Sequence, residues 1–242
     1  MTVVERQAPS PSFTYDNQTG RGPGRVIRAM SAVLPGVADV RSQVDPYASA
    51  WRAHNVDTLP RPGRRWIVLG DSMSQSIGAS AYDAGWVGQL AARLATTGHD
   101  LRVVNLSATG ARVTDLLSQQ LPTLDQLGSR DDDLVTVLAG SNDLFGGRAG
   151  RTRLPEAFAE LVDRVPPGSV VATLPQPTGT AGRVNQHVER AARAGTIVMA
   201  DLRVTGPRSW RGRLAGDFFH PDDAGHAAIA TAFEPTLRQV LS

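Results

Sequence analysis

The sequence contains no cysteine. Disulfides, zinc–thiolate centres and a cysteine nucleophile are therefore excluded. It contains no lysine either, since all 25 basic residues are arginine. A Schiff-base lysine and the lysine of a phosphate-binding P-loop are excluded with it. An excess of one charge sign is also lacking. The formal net charge is +2 and the arginines are spread along the chain, so no basic stripe marks a nucleic-acid partner. No window approaches the ~18 apolar residues of a membrane-spanning helix. The N-terminus, "MTVVERQAPSPSFTYDNQTG", lacks the apolar h-region of a signal peptide. The expectation is a soluble cytoplasmic protein. What is present is enough apolar material, 41% of 242 residues, for the core of one large domain.

Residues 1–23 are rich in Pro, Ser, Gly and Asn and read as a flexible tail. In "RVIRAMSAVL", Val26, Ile27, Met30, Val33 and Leu34 recur at helical spacing, and Val37, Val40 and Val44 continue the pattern after Pro35-Gly36. Asp45-Pro46 then opens "YASAWRAHN". Residues 24–60 are thus expected to be a helical extension docked on a core formed by 61–242, with "LPRPGRR" as linker. Peripheral membrane contact of residues 24–55 is the weaker alternative, because Pro35 interrupts the stripe. Removing residues 1–20 is expected to change nothing. A chain starting near Pro62 is expected to lose stability and keep its reactivity.

From Arg65 onward strand and helix alternate. The expected strands are 66–70, 101–107, 134–140, 169–175 and 196–204. The expected helices are 85–95, 113–124, 154–165 with Pro155 in the first turn, 181–195, and a last one from Asp222. Short continuous apolar strands joined by helices indicate an α/β domain with a parallel sheet covered on both faces. In such a sheet the ligand site lies beyond the carboxyl ends of the strands. Those ends deliver "GDSMS" with Ser72, "SATGARVTD" with Gly110, "AGSNDLFGG" with Asn142, and "GDFFHPDDAGH" with Asp217 and His220.

These parts suit acyl transfer. A serine hydroxyl is a weak nucleophile that needs an adjacent base, and His220 can serve. The imidazole needs a partner on its other nitrogen, and Asp217 stands three residues ahead of it, with Asp222 as runner-up. The oxyanion of a tetrahedral intermediate needs fixed donors. Candidates are the N–H groups of Ser72 and Gly110 and the side-chain amide of Asn142.

With "GDS", Gly110, "GSND" and "DFFH" in this order, the sequence resembles the GDSL/SGNH hydrolases, whose signature Ser, Gly, Asn and His match Ser72, Gly110, Asn142 and His220. The resemblance covers roughly residues 65–242. It implies a flavodoxin-like three-layer α/β/α sandwich with a five-stranded parallel sheet. It also implies a Ser-His-Asp triad that hydrolyses esters or thioesters of small molecules. No metal or other cofactor is implied. "GDSM" replaces "GDSL", and the G-x-S-x-G elbow of the α/β-hydrolases is missing.

Competing readings stand beside these. An acyltransferase would use the same residues on a sugar or other alcohol. A metal-dependent phosphoesterase would use Asp71, Asp143, Asp217 and His220 as ligands. Asp71 is expected to brace its turn, and Asp143 rather than Asn142 to cap a helix. His187 is read as packing, His226 as making a local bond in its helix, and Asp222 and Asp223 as capping that helix. Arg148, Arg151 and Arg153 are read as a solvated basic loop or an anion contact, and Trp210 as a site wall or a loop anchor.

Overall fold

The structure is a computed structural model that describes residues 13–22, 34–128 and 130–242. The five strands are β1 (Arg65–Gly70), β2 (Arg102–Asn105), β3 (Leu134–Leu138), β4 (Val170–Ala172) and β5 (Val198–Ala200). All pairs are parallel, in the order β2-β1-β3-β4-β5. This is the expected α/β sandwich. The order reverses at β1, so the crevice between the ends of β1 and β3 is the topological switch point. Alternation along β1 divides the core in two. Ile67 and Leu69 join one buried apolar cluster, while Trp66 and Val68 join the other.

Helices cover both faces. On the Ile67 side lie α4 (Val113–Asp115), a π-helical turn (Leu116–Gln120), α5 (Leu121–Gln126), α7 (Arg148–Arg164) and α8 (Gly179–Arg193). On the Trp66 side lie α3 (Trp86–Ala95) and α10 (Asp223–Leu241). Two short helices stand at strand ends: α6 (Ser141–Phe145) after β3 and α9 (Leu202–Thr205) after β5. The last strand stops at Ala200, short of the expected 204, because the Asp201 carboxylate accepts from Arg203 N–H and starts α9. Helix α7 begins at Arg148, so Pro155 lies inside it rather than in its first turn. Arg148, Arg151 and Arg153 are exposed on the first turns of that helix, not on a loop.

The N-terminal part packs directly on the sheet layers. Residues 13–22 are not a free tail. Phe13 and Tyr15 pack on the Ile67-side core, and Asn17 is buried. Asn17 donates to the carbonyls of Asn105 (2.7 Å) and Ser107 (3.0 Å) at the end of edge strand β2. Helices α1 (Pro35–Ser42) and α2 (Val44–Thr58) follow. Asn55 of α2 accepts from Asn105 N–H (2.8 Å) and donates to its carbonyl (2.7 Å), covering backbone that an edge strand would leave open. Trp51 is fully buried in the Trp66-side cluster. Of the expected stripe, Val37 and Val40 are buried, Leu34 is exposed, and Val26, Ile27, Met30 and Val33 lie outside the described residues. Among the described residues, no helix is long and apolar enough to cross a membrane.

Candidate active site

Strand β1 ends at Gly70, where an added Cβ would meet Leu138 O at 2.5 Å, and the chain turns at once into Asp71-Ser72. Asp71 Oδ1 accepts from Met73 N–H (3.1 Å), and its Oδ2 accepts from the Ser141 hydroxyl (2.5 Å). Burial pushes the Asp71 carboxyl above its ordinary range, with the Ser141 and Met73 bonds opposing that rise. Asp71 thus ties the turn after β1 to the turn after β3 and holds Ser72 at the switch point.

The last loop is shaped by one carboxylate. Asp217 Oδ1 accepts from the N–H groups of Phe219 (3.0 Å) and His220 (2.9 Å), a side-chain-closed turn. A bridge between Leu214 and Pro221 and a bond from Ala215 N–H to His220 O (2.8 Å) close the loop behind it. The turn forces Phe218 to φ +57°. A left-handed backbone costs a non-glycine residue about 1–2 kcal/mol. Gly78 lets the loop approach: a Cβ there would meet Pro221 O at 2.2 Å and His220 Cβ at 2.9 Å.

The two loops meet. His220 Nδ1 lies 2.6 Å from Asp217 Oδ2, and Nε2 lies 3.0 Å from Ser72 Oγ. A carboxylate can only accept, so Nδ1 carries the proton and Nε2 is free to accept from the hydroxyl. Burial raises the Asp217 carboxyl, but the bonds from His220 outweigh it and leave it below its ordinary value. Asp222, the runner-up, instead caps α10 by accepting from Gly225 N–H (2.8 Å).

Gly110 has φ +78° and open space where a Cβ would stand. No hydrogen bond from Ser72 N–H or Gly110 N–H is found among the described residues. Asn142 donates its side-chain amide to Ala111 O (3.0 Å) and lies 3.5 Å from Asp71 Oδ2. Asp143 accepts from Val113 N–H (3.0 Å), and burial lifts its pKa to about 6. An apolar pocket lined by Met73, Leu138, Leu174, Leu202, Trp210 and Ile229 lies behind the turn, with Asp71 and Ser141 on its wall. Trp210 is therefore a pocket wall. Among the described residues, no three His, Asp or Glu side chains converge as metal ligands.

The other histidines are spread out. His187 is not core packing, being partly exposed beside Arg190 (2.7 Å). His54 stacks edge-on against Trp51 and Tyr82. His226 departs from its expected local bond. It is fully buried, accepts from Trp86 N–H (3.3 Å) at Nδ1, and holds Ile77 O (3.2 Å) at Nε2. Burial, with the charge of His220 adding to it, depresses its pKa to about 4, against the opposing Ile77 bond. Only the neutral ring satisfies both partners, so acid favours the unfolded chain. Stability from this group is complete above pH ~6.5 and is lost as pH falls through 6.5 towards 4, a span worth about 3 kcal/mol. Wild-type Tm should therefore fall more between pH 7 and 4.5 than that of His226→Gln, and equal falls would refute the assignment.

Sequence reading overlooked a set of supporting residues. Gln75 donates to Asn17 O (2.8 Å) and Ser107 O (3.2 Å) and accepts from Thr109 N–H (2.9 Å). Arg21 donates to Gly110 O (3.0 Å) and forms a two-pronged ion pair with Asp115. Gln43 accepts from Gly78 N–H (2.8 Å), and Gly36 touches Gly216, where an added Cβ would come within 2.3 Å of Gly216 O. None of these residues belongs to a reactive type at recognisable spacing, so no signal in the sequence singled them out.

A parallel doubly wound sheet thus joins Ser, His and Asp side chains at its switch point, where open α/β sheets hold their ligands. Residues 68–228 match the model of the GDSL-like Lipase/Acylhydrolase family, and the chain belongs to that family of ester-cleaving hydrolases. The chain is 26% identical over 189 residues to Esterase TesA of Pseudomonas aeruginosa, covering 72% of this chain and 88% of that one. A crystal structure of TesA superposes with a TM-score of 0.59 at 24% identity, over 73% of this chain and 99% of that one. LAE5, described as an α/β hydrolase enzyme from the metagenome of Lake Arreo, Spain, superposes with a TM-score of 0.55 at 23% identity, over 76% of this chain and all of that one.

Proposed function

We propose that the protein is a serine esterase that cleaves carboxylic esters through an acyl-enzyme on Ser72. The observation that carries this reading is the chain Ser72 Oγ–His220 Nε2 (3.0 Å), His220 Nδ1–Asp217 Oδ2 (2.6 Å). Ser72 attacks the carbonyl carbon while its proton passes to His220 Nε2. The C–O bond to the alcohol then breaks, and the alcohol oxygen takes that proton. Water repeats the sequence to release the acid. Asp217 fixes the tautomer and stabilises the imidazolium that forms.

The Ser72 and Gly110 N–H groups, which find no acceptor among the described residues, are suited to the developing oxyanion. Asn142 would add its amide by turning one N–H from Ala111 O or Asp71 toward the substrate. A fluorophosphonate probe should label the protein once, at Ser72, and labelling should vanish in Ser72→Ala. Labelling that persists in the variant would refute the assignment.

The mechanism routes no step through a metal. Excess EDTA should leave ester hydrolysis unchanged. Loss on chelation, with recovery on adding a divalent ion, would instead favour a phosphoesterase built on Asp71, Asp143, Asp217 and His220.

A further inference from the structure

We infer that Phe145, Phe218 and Phe219 form the seat for an apolar alcohol group, so that the substrates are esters of aliphatic or aromatic alcohols. The inference rests on the serine-esterase reading above and adds the side of the ester on which selectivity resides.

Location is the first argument. The Phe219 ring stands edge-on to the His220 ring at 5.0 Å, and Phe145 stands edge-on to Phe219 at 5.5 Å. Phe145 ends α6, three residues past Asn142. The pair therefore bridges the loop after β3 and the loop carrying His220, across the mouth of the site.

Exposure is the second. Phe145 is 65% exposed, Phe218 80% and Phe219 42%, and the three make up half of the exposed large apolar side chains among the described residues. Phe145 and Phe219 are in contact and Phe218 adjoins Phe219 in the chain, and exposed apolar rings close together mark a binding site more often than rings scattered singly.

Strain is the third. Phe218 sits at φ +57° in a turn that glycine would adopt without penalty. A ring held there while 80% exposed contributes little to folding. Backbone strain at such a position points toward function, here a ring that is covered only when substrate is bound.

Chemistry decides which part of the ester it meets. Acylation forms the Ser72 Oγ–carbonyl bond and breaks the bond to the alcohol oxygen, which takes its proton from His220 Nε2. That oxygen must lie against Nε2, and its substituent beside the imidazole, where Phe219 stands. The aromatic surface is thus on the leaving-group side.

The test uses acetates that share one acyl-enzyme: ethyl, butyl, hexyl and benzyl acetate. Each methylene taken from water is worth roughly fourfold in binding. For the wild type, kcat/KM should rise at least about tenfold from ethyl to hexyl acetate. In Phe145→Ala and Phe219→Ala the rise should shrink below about threefold. The preference across ethyl esters of acids of increasing length should keep its wild-type ratio in both variants. Phe218→Gly should weaken the alcohol preference in the same way while its Tm stays equal or rises.

An unchanged alcohol preference, a change confined to the acyl series, or an equal loss on every ester would overturn the inference. So would a lower Tm for Phe218→Gly. Failure of the fluorophosphonate to label Ser72 would defeat the esterase reading itself. Labelling at Ser72 together with an unchanged alcohol preference would defeat this inference alone.

Discussion

His220→Ala is expected to lower kcat by about 10⁴- to 10⁶-fold, the range seen when one member of a triad that works as a unit is removed. The reason is specific to this geometry. Without the ring, the Ser72 hydroxyl loses the base at 3.0 Å and the leaving alcohol loses its proton donor. Under the proposed mechanism one deletion disables both halves of the reaction. Asn142→Ala should cost less, about 10²- to 10³-fold, since under the proposed mechanism one oxyanion donor is removed while the Ser72 and Gly110 N–H groups remain. The fold should survive His220→Ala, because the ring is part-exposed and Asp217 Oδ1 still closes the turn through backbone N–H groups. Steady-state rates on one chromogenic ester, alongside Tm, provide the check. Equal losses for the two variants would place Asn142 or His220 in the wrong role.

Removing the N-terminal segment is expected to have the second largest effect, and on two quantities at once. Trp51 is fully buried, and replacing such a residue by alanine costs about 3–5 kcal/mol. Against a typical net stability of ~5–15 kcal/mol that is severe, and at ~2–4 °C per kcal/mol it lowers Tm by roughly 6–20 °C. A chain beginning at Pro62 loses Trp51, Asn55 and Asn17 together and should be marginal or unfolded at 37 °C.

Activity should fall as well, because the segment braces three loops of the site. Arg21 holds Gly110 O, Asn17 and Trp51 hold the Gln75 stretch, and Gly36 abuts Gly216 beside Asp217. Trimming residues 1–22, which takes Arg21 as well as the residues 1–20 whose loss was expected to be silent, should therefore lower both Tm and kcat. Arg21→Ala isolates the second effect: Tm should move little, since the pair is partly exposed, while kcat falls several-fold. An unchanged kcat in Arg21→Ala and in the 23–242 chain would show that the brace has no part in catalysis.

The α/β class was legible because parallel strands buried on both faces must be continuous apolar runs, as "WIVLG" and "LVTVL" are. Ser72, Gly110, Asn142, Asp217 and His220 stood out as candidates because few residue types can perform acyl transfer and each falls in a segment that follows an expected strand. Element ends were less so. Helix α7 was expected to begin at Leu154 because Gly146-Gly147 and the arginines before it carry no apolar period, yet Gly147 opens it at Arg148. His226 was misread because a short-range rule saw only its helix, while its partners, Ile77 and Trp86, are 149 and 140 residues away.

The sequence by itself determined the class of sheet, the alternation that divides its core, and the chemical types at the strand ends, since all of these follow from local periodicity and side-chain chemistry. Only the tertiary structure decided that Phe13, Tyr15 and Asn17 pack on the core, that Asp217 rather than Asp222 faces His220, and that Phe219 stands against that ring with Phe145 beyond it. Proline, serine and asparagine read as a tail in any local window. Asn17 becomes buried only because carbonyls 88 and 90 residues further on need a donor. Contacts of that span are set by how the layers close over one another, and no short stretch of chain encodes them.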